Sequence, residues 1–220
     1  MKNCKAIIFD AYGTLFDVNS AAEKCKEKIG NKWEFFSKYW RTTQLEYTWL
    51  RSLMSKHKNF WQITEDSLDK SMKVFNIDLA MRNELLNLYK VLSTFPEVKQ
   101  TLIKLKKTDY KLAILSNGTP NLLEDLVKDN KIENIFDNLF SVEDVKTFKP
   151  AFKVYDIPVE YYQINKSEII FLSANTWDVS GAGNYGFNSI WVNRDNNVFD
   201  NLDFKPKFEI NNLTDLLDLI

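Results

Sequence analysis

One abrupt change of texture constrains this chain more than anything else in it. Residues Lys5 to Phe9 hold a four-residue apolar run, AIIF, that ends directly on Asp10, and the turn AYGTLF follows. A buried strand followed by a turn is the natural reading, with Gly13 supplying conformational freedom. From about Val18 to Tyr89 there is no proline and only one glycine, Gly30. Apolar residues there recur at helical spacing, at Trp33, Phe36, Trp40, Leu45, Trp49 and Leu53. After Pro96 the pattern alternates between strands and helices. Helices are expected at 98–106, 121–127, 151–162, 176–184 and 213–219, and strands at 112–115, 139–142, 168–172 and 189–192. Residues 193–210, with Pro206 and polar clusters, read as loop. Alternating strands and helices imply parallel βαβ units. The strand before Asp10 belongs with the later set, so the helical stretch is an insertion. The expected architecture is α/β: a Rossmann-like parallel-sheet core from residues 1–16 and 93–220, carrying a helical cap domain from residues 17–92.

A chain of 220 residues can bury such a core without disulfides or metal. Its 29 basic and 30 acidic side chains give a net charge of -1, which argues against a nucleic-acid binder. Cys4 and Cys25 are too few for a disulfide framework and read as reduced thiols. The apolar run near the N-terminus is too short for a signal peptide, and no run reaches membrane-spanning length. A cytoplasmic protein without membrane partners is expected. The single histidine, His57, sits in the charged run SKHKN and reads as a solvated loop residue. No Ser-His or Cys-His mechanism and no Cys/His metal site can be built around it, and nothing in these patterns calls for a cofactor. The run KLKK at 104–107 reads as a solvated helix face. Arginine occurs only at 41, 51, 82 and 194. Lysine cannot replace its planar fork at a bidentate site, so each arginine merits notice.

In open parallel sheets, ligands bind beyond the carboxyl ends of the strands. Polar chemistry gathers at four such ends: Asp10, Ser116 with Asn117, Lys149, and Ser173-Ala174-Asn175 with Asp178. A carboxylate in the position of Asp10 can be a nucleophile, a metal ligand or a helix cap.

The strings DAYGTLF, SNG, Lys149-Pro150 and SANTWD resemble, in order, the four motifs of the haloacid dehalogenase superfamily. Two longer strings, WRTTQLEYTWLRSLM at 40–54 and FLSANTWDVSGA at 171–182, are similar to the L-2-haloacid dehalogenases within it. The departures from the phosphatase branch agree. Tyr12 stands where phosphatases carry a second aspartate for the leaving group, and a halide needs no proton. Ala174 stands where they carry a magnesium-binding aspartate, and a monoanionic haloacid needs no such cation.

The resemblance implies hydrolytic dehalogenation of short L-2-haloalkanoic acids to D-2-hydroxyacids, independent of metal, by a HAD-like homodimer with apolar cap surface as the contact. Asp10 would attack the α-carbon and form an ester. Lys149 would hold its carboxylate ionised. Ser173, Asn175 and Asp178 would position the water that hydrolyses the ester, with Asp178 as base. Thr14 and Tyr155 would complete the polar shell, and backbone amides beside Thr14 and Ser116 would meet the substrate carboxylate. Arg41 and Asn117 would receive the halide, Phe60 and Trp177 would form dry walls, and Tyr12 and Leu45 would line the space for the substrate side chain. Plainer roles compete: Arg41 as a surface residue with a packed stem, Ser116 and Asn117 as helix caps, Asp178 as a first-turn carboxylate, and Phe60, Leu45 and Trp177 as core. The segment after Arg41 reads Thr42-Thr43 where relatives often have Gln-bearing versions, and Thr42 bears on substrate range. A small-molecule phosphatase, a fluoroacetate defluorinase and an inactive binding protein are the rival readings.

Overall fold

A computed structural model describes residues 1 and 3–220. The first strand, β1 (Ala6–Phe9), is wholly buried. Five further strands join it: β2 (Lys111–Ser116), β3 (Asn138–Ser141), β4 (Ile169–Ser173), β5 (Asn188–Val192) and β6 (Phe208–Ile210). The spatial order is β3-β2-β1-β4-β5-β6, and every pairing is parallel. Strands buried on both faces suit near-continuous apolar runs such as AIIF and IIFL. The order reverses about β1, so Asp10 emerges at the switch point where such sheets bind ligands.

Between β1 and β2 the chain makes α1 (Ser20–Lys24), α2 (Lys26–Ile29), α3 (Trp33–Leu53), α4 (Phe60–Phe75) and α5 (Arg82–Lys90), then α6 (Val98–Leu105) against the sheet. Local chemistry sets the breaks. Gly30 takes a positive φ of 78° after α2. Asn59 caps α4 by accepting from the Gln62 amide at 2.8 Å, and Asn76 ends it in the left-handed conformation. The chain leaves and re-enters the sheet layer at one place. The Asp17 amide donates to Ser93 O at 2.8 Å, and the Phe95 amide donates to Leu15 O at 3.1 Å.

The rest alternates: α7 (Pro120–Asp129) after β2, α8 (Phe152–Tyr162) after β3, and α9 (Thr176–Tyr185) after β4. Pro120 opens α7 at its first turn, where a missing N–H costs nothing.

Three expectations need correction. Residues 193–210 are not all loop, because Phe208–Ile210 pairs with β5 as the sixth strand, Trp191 opposite Glu209. The closing segment is a 3₁₀ helix, Leu213–Asp218, capped reciprocally by Asn212 and Asp215. His57 is half-buried rather than solvated. Its Nε2 lies 3.1 Å from Glu143, and its ring stacks on Phe148 at 5.1 Å. Both thiols are free, as read, and the lysines of KLKK are exposed.

Candidate active site

The cluster at the switch point is built on one buried carboxylate. Asp10 directly follows β1, and its amide donates to Leu172 O of the adjacent β4 at 2.9 Å. This fixes the backbone of Asp10 against the strand that supplies its partners. Its two oxygens are used differently. Oδ2 accepts from Thr14 Oγ1 at 2.9 Å, Ser173 Oγ at 3.2 Å and Asn175 Nδ2 at 2.8 Å. Oδ1 accepts from Lys149 Nζ at 3.1 Å.

Those partners are themselves held. Thr14 Oγ1 accepts from the Ala174 amide at 2.9 Å, and Ser173 Oγ accepts from the Asn175 amide at 3.1 Å. Asn175 Nδ2 also donates to Tyr12 O at 3.1 Å, tying the β4 turn to the β1 turn. Asp178, in the first turn of α9, is fully buried. Its Oδ2 accepts from Lys149 Nζ at 2.8 Å and its Oδ1 from the Tyr155 hydroxyl at 2.7 Å. Lys149, 1% exposed, therefore bridges two carboxylates. Its amide donates to Asn117 Oδ1 at 3.0 Å, so the end of β2 positions the lysine loop.

The electrostatics follow from burial and neighbours. Burial pushes Asp178 up to about 6; Lys149 pulls the other way and Asp10 adds repulsion. Burial alone would push Lys149 down, but the two carboxylates outweigh it and hold the ammonium above its usual value. Burial, then the charge of Asp178, keeps Tyr155 neutral well above the usual phenol range.

The superfamily's magnesium does not fit here. Ala174 offers no oxygen from its side chain, and the Lys149 ammonium lies against both Asp10 and Asp178. Among the described residues no group of three or more acidic, Cys or His side chains is arranged to hold an ion.

The helical insertion supplies the opposite wall. Tyr12, buried, packs between Phe60 at 5.1 Å and Tyr89 at 5.8 Å, and its hydroxyl has no partner. Arg41 is not a free surface residue. Its Nη2 donates to Tyr12 O at 3.3 Å and its Nη1 to Gln44 Oε1 at 2.8 Å. It also borders a groove of about 460 Å³ with Val18, Trp33, Lys38 and the exposed Thr42. Leu45, half-buried, lies one turn beyond Arg41 on α3. Trp177 is half-buried in the first turn of α9 and meets the edge of Trp49 at 5.4 Å.

Ser116 departs from the expected capping role. Its hydroxyl accepts from the Gly118 amide at 3.0 Å, and the cap position of α7 belongs to Thr119. Ser116 thus stabilises the turn rather than the helix. Gly118 itself is forced by space: a Cβ there would stand 2.9 Å from the Tyr12 ring and hydroxyl.

Three contributors escaped the sequence reading. Gln44 sits against Arg41; it lies four residues after Trp40 and eight after Phe36, on the apolar stripe of α3, where a buried polar residue invites a question. Trp49, on α3 with Gln44, backs Trp177 of α9. Arg194 donates from Nη2 to Thr14 O at 2.9 Å while its Nε and Nη2 hold Glu97 Oε1 at 3.0 and 2.6 Å. The scarcity of arginine was the available signal.

Comparison with known proteins agrees with this geometry. A family model described as haloacid dehalogenase-like hydrolase matches residues 7–192. An (S)-2-haloacid dehalogenase from Pseudomonas sp. (strain YL) is 40% identical over 221 residues, covering 100% of this chain and 95% of that one. A crystal structure of a dehalogenase superposes with a TM-score of 0.98 at 36% identity, covering 100% of this chain and 98% of the other. The L-2-haloacid dehalogenase of Xanthobacter autotrophicus, with chloropropionic acid covalently bound, has a TM-score of 0.91 at 31% identity and 98% coverage of each chain.

Proposed function

The chain belongs to the haloacid dehalogenase-like hydrolases and, within them, to the (S)-2-haloacid dehalogenases, hydrolases acting on carbon–halide bonds; from that premise we propose that it converts short L-2-haloalkanoic acids to D-2-hydroxyacids through an ester on Asp10, without metal. The observation that carries the reading is the Asp10–Lys149–Asp178 bridge, with Oδ2 of Asp10 held by three further donors.

The roles follow from the chemistry. Asp10, with the Lys149 ammonium against its Oδ1, attacks the substrate α-carbon in line as the carbon–halogen bond breaks, and halide leaves with the bonding pair. Arg41 receives the halide with Asn117. Backbone amides beside Thr14 and Ser116 take the substrate carboxylate. Tyr12, Phe60, Leu45 and Trp177 surround the rest and exclude water. Water then loses a proton to Asp178 and attacks the carboxyl carbon of Asp10. The bond between the Asp10 carboxyl carbon and the ester oxygen breaks, the hydroxyacid oxygen takes up that proton, the second proton of the water is released to solvent, and Asp10 is restored as a carboxylate. Tyr155 holds Asp178, and Thr14, Ser173 and Asn175 hold Asp10. The α-carbon inverts once.

Residues 17–92 act as a cap over residues 1–16 and 93–220. Exposed Phe35, Leu53, Met54, Val74 and Leu79 all lie on that segment and support a homodimer contact through it. Free thiols, together with no helix among the described residues long and apolar enough to cross a membrane, support a cytoplasmic setting.

A single turnover of L-2-chloropropionate in heavy-oxygen water, with enzyme in excess, tests the covalent route. The label is expected in the peptide containing Asp10, and the product is expected to be the D-hydroxyacid. Label directly in the product hydroxyl, or an L product, overturns it.

A further inference from the structure

We propose that Gln44 is a positioning residue that aims the Arg41 guanidinium at the leaving halide. The inference rests on the halide role given to Arg41 above and adds the device that holds it.

Gln44 is 1% exposed, and both atoms of its amide are committed. The orientation of that amide is dictated from a distance. Thr64 spends its one hydroxyl proton on Phe60 O, at 2.8 Å, one turn back on α4. Towards Gln44 it can only accept, so Nε2 must face it, at 2.7 Å. Oε1 is thereby turned towards Arg41, whose Nη1 donates to it at 2.8 Å. Tyr89 closes the arrangement: its hydroxyl lies 3.0 Å from Nε2 and 3.2 Å from Oε1 and can serve either. A flipped amide would set an N–H against a guanidinium N–H and leave Thr64 unmatched.

The guanidinium is consequently held from two sides. Gln44, three residues on along α3, grips Nη1, while Tyr12 O, two residues past Asp10, accepts from Nη2. One grip comes from the cap and the other from the nucleophile turn. An arginine side chain loses much rotamer freedom when fixed, and an aimed donor acts at the transition state only if that loss precedes the reaction. Charge accumulates on the halogen only as the bond breaks, so this aiming should act on turnover more than on affinity.

The competing role is structural, since Gln44 also ties α3 to α4 and α5. The test separates the two by leaving group and by background. Gln44→Met keeps the volume and removes the acceptor. It is compared with the wild type and with Arg41→Lys on L-2-chloropropionate and L-2-bromopropionate, after thermal melting confirms folding. Chloride, the poorer leaving group, needs more help. The expected result is a fall in kcat of about tenfold on the chloro substrate with KM little changed, consistent with losing one charge-assisted contact. The loss should be smaller on the bromo substrate and should nearly vanish in the Arg41→Lys background. An equal loss on both halides and in both backgrounds, or no loss, overturns the proposal. If Arg41→Lys itself leaves kcat untouched, the halide role of Arg41 falls and this proposal with it; an impaired Arg41→Lys beside an unimpaired Gln44→Met removes the Gln44 role alone. Should Gln44→Met not fold, Thr64→Val carries the same comparison: the amide loses the acceptor that orients it, and a smaller loss with the same halide dependence is expected, its absence overturning the proposal.

Discussion

Replacing Lys149 by Met should destabilise the protein in a way that depends on pH. The side chain is 1% exposed, and its ammonium lies 3.1 Å from Asp10 and 2.8 Å from Asp178. Methionine matches its length and removes the charge, leaving two buried carboxylates side by side. Removing one partner of a buried ion pair costs about 3–5 kcal/mol. Because the folded-state value of Lys149 is raised, its contribution is fully present below the unfolded lysine value and is lost only as pH climbs through the folded one. At pH 6–8 the wild type therefore has all of it. In the variant, Asp178, already pushed up to about 6 by burial, loses the pull of the ammonium and rises further. Between that new value and about 6 the variant's folded state binds a proton that the wild type does not, so the gap should narrow by up to about 1.4 kcal/mol per pH unit as pH falls. Urea unfolding followed by tryptophan fluorescence, at about pH 8 and about pH 6, reads both numbers. A loss below about 1 kcal/mol at both, or the same loss at both, would refute the view that the bridge is what makes two buried carboxylates tolerable.

Other outcomes follow from the same geometry. Hydrolysis of the ester should slow as pH falls below about 6, because protonated Asp178 cannot accept the water proton and the ester has removed the Asp10 charge that helps to raise Asp178, while formation of the ester is less affected; single-turnover decay of the ester that stays flat down to about pH 4 would remove Asp178 as the base. Arg194→Ala should cost about 1–3 kcal/mol and lower turnover by loosening the turn at Thr14, read by denaturant melts beside kcat; an unchanged melt would show that the contacts to Thr14 O and Glu97 contribute nothing. Activity should survive exhaustive chelation, since Lys149 supplies the positive charge and Ala174 replaces the metal-binding carboxylate; loss with chelator and recovery with magnesium would contradict this.

Much of the fold was legible because its signals are local. A four-residue apolar run, AIIF, buried on both faces, announces an interior strand, and a proline-free stretch with apolar residues at helical spacing announces the insertion. The chemistry-bearing strand ends could be named for the same reason, since each is a short string beside its own strand. The structure gathers Asp10, Thr14, Lys149, Tyr155, Ser173, Asn175 and Asp178 into one hydrogen-bonded cluster.

What the sequence could not decide depends on partners far away along the chain. Phe208–Ile210 is too short to declare itself and becomes a strand only because β5 offers an open edge. His57 looks solvated among lysines until Glu143 and Phe148, more than eighty residues on, are folded against it. Ser116 could have capped a helix, and only the position of the Gly118 amide made it a turn acceptor. Gln44 and Arg194 carry no motif at all. Their roles exist because α4 brings a committed hydroxyl to one amide, and because the end of β5 returns to the turn that follows β1. Local patterning chose the elements and the reactive residues. Hydrogen-bond direction, which needs both partners in place, decided how those residues are aimed.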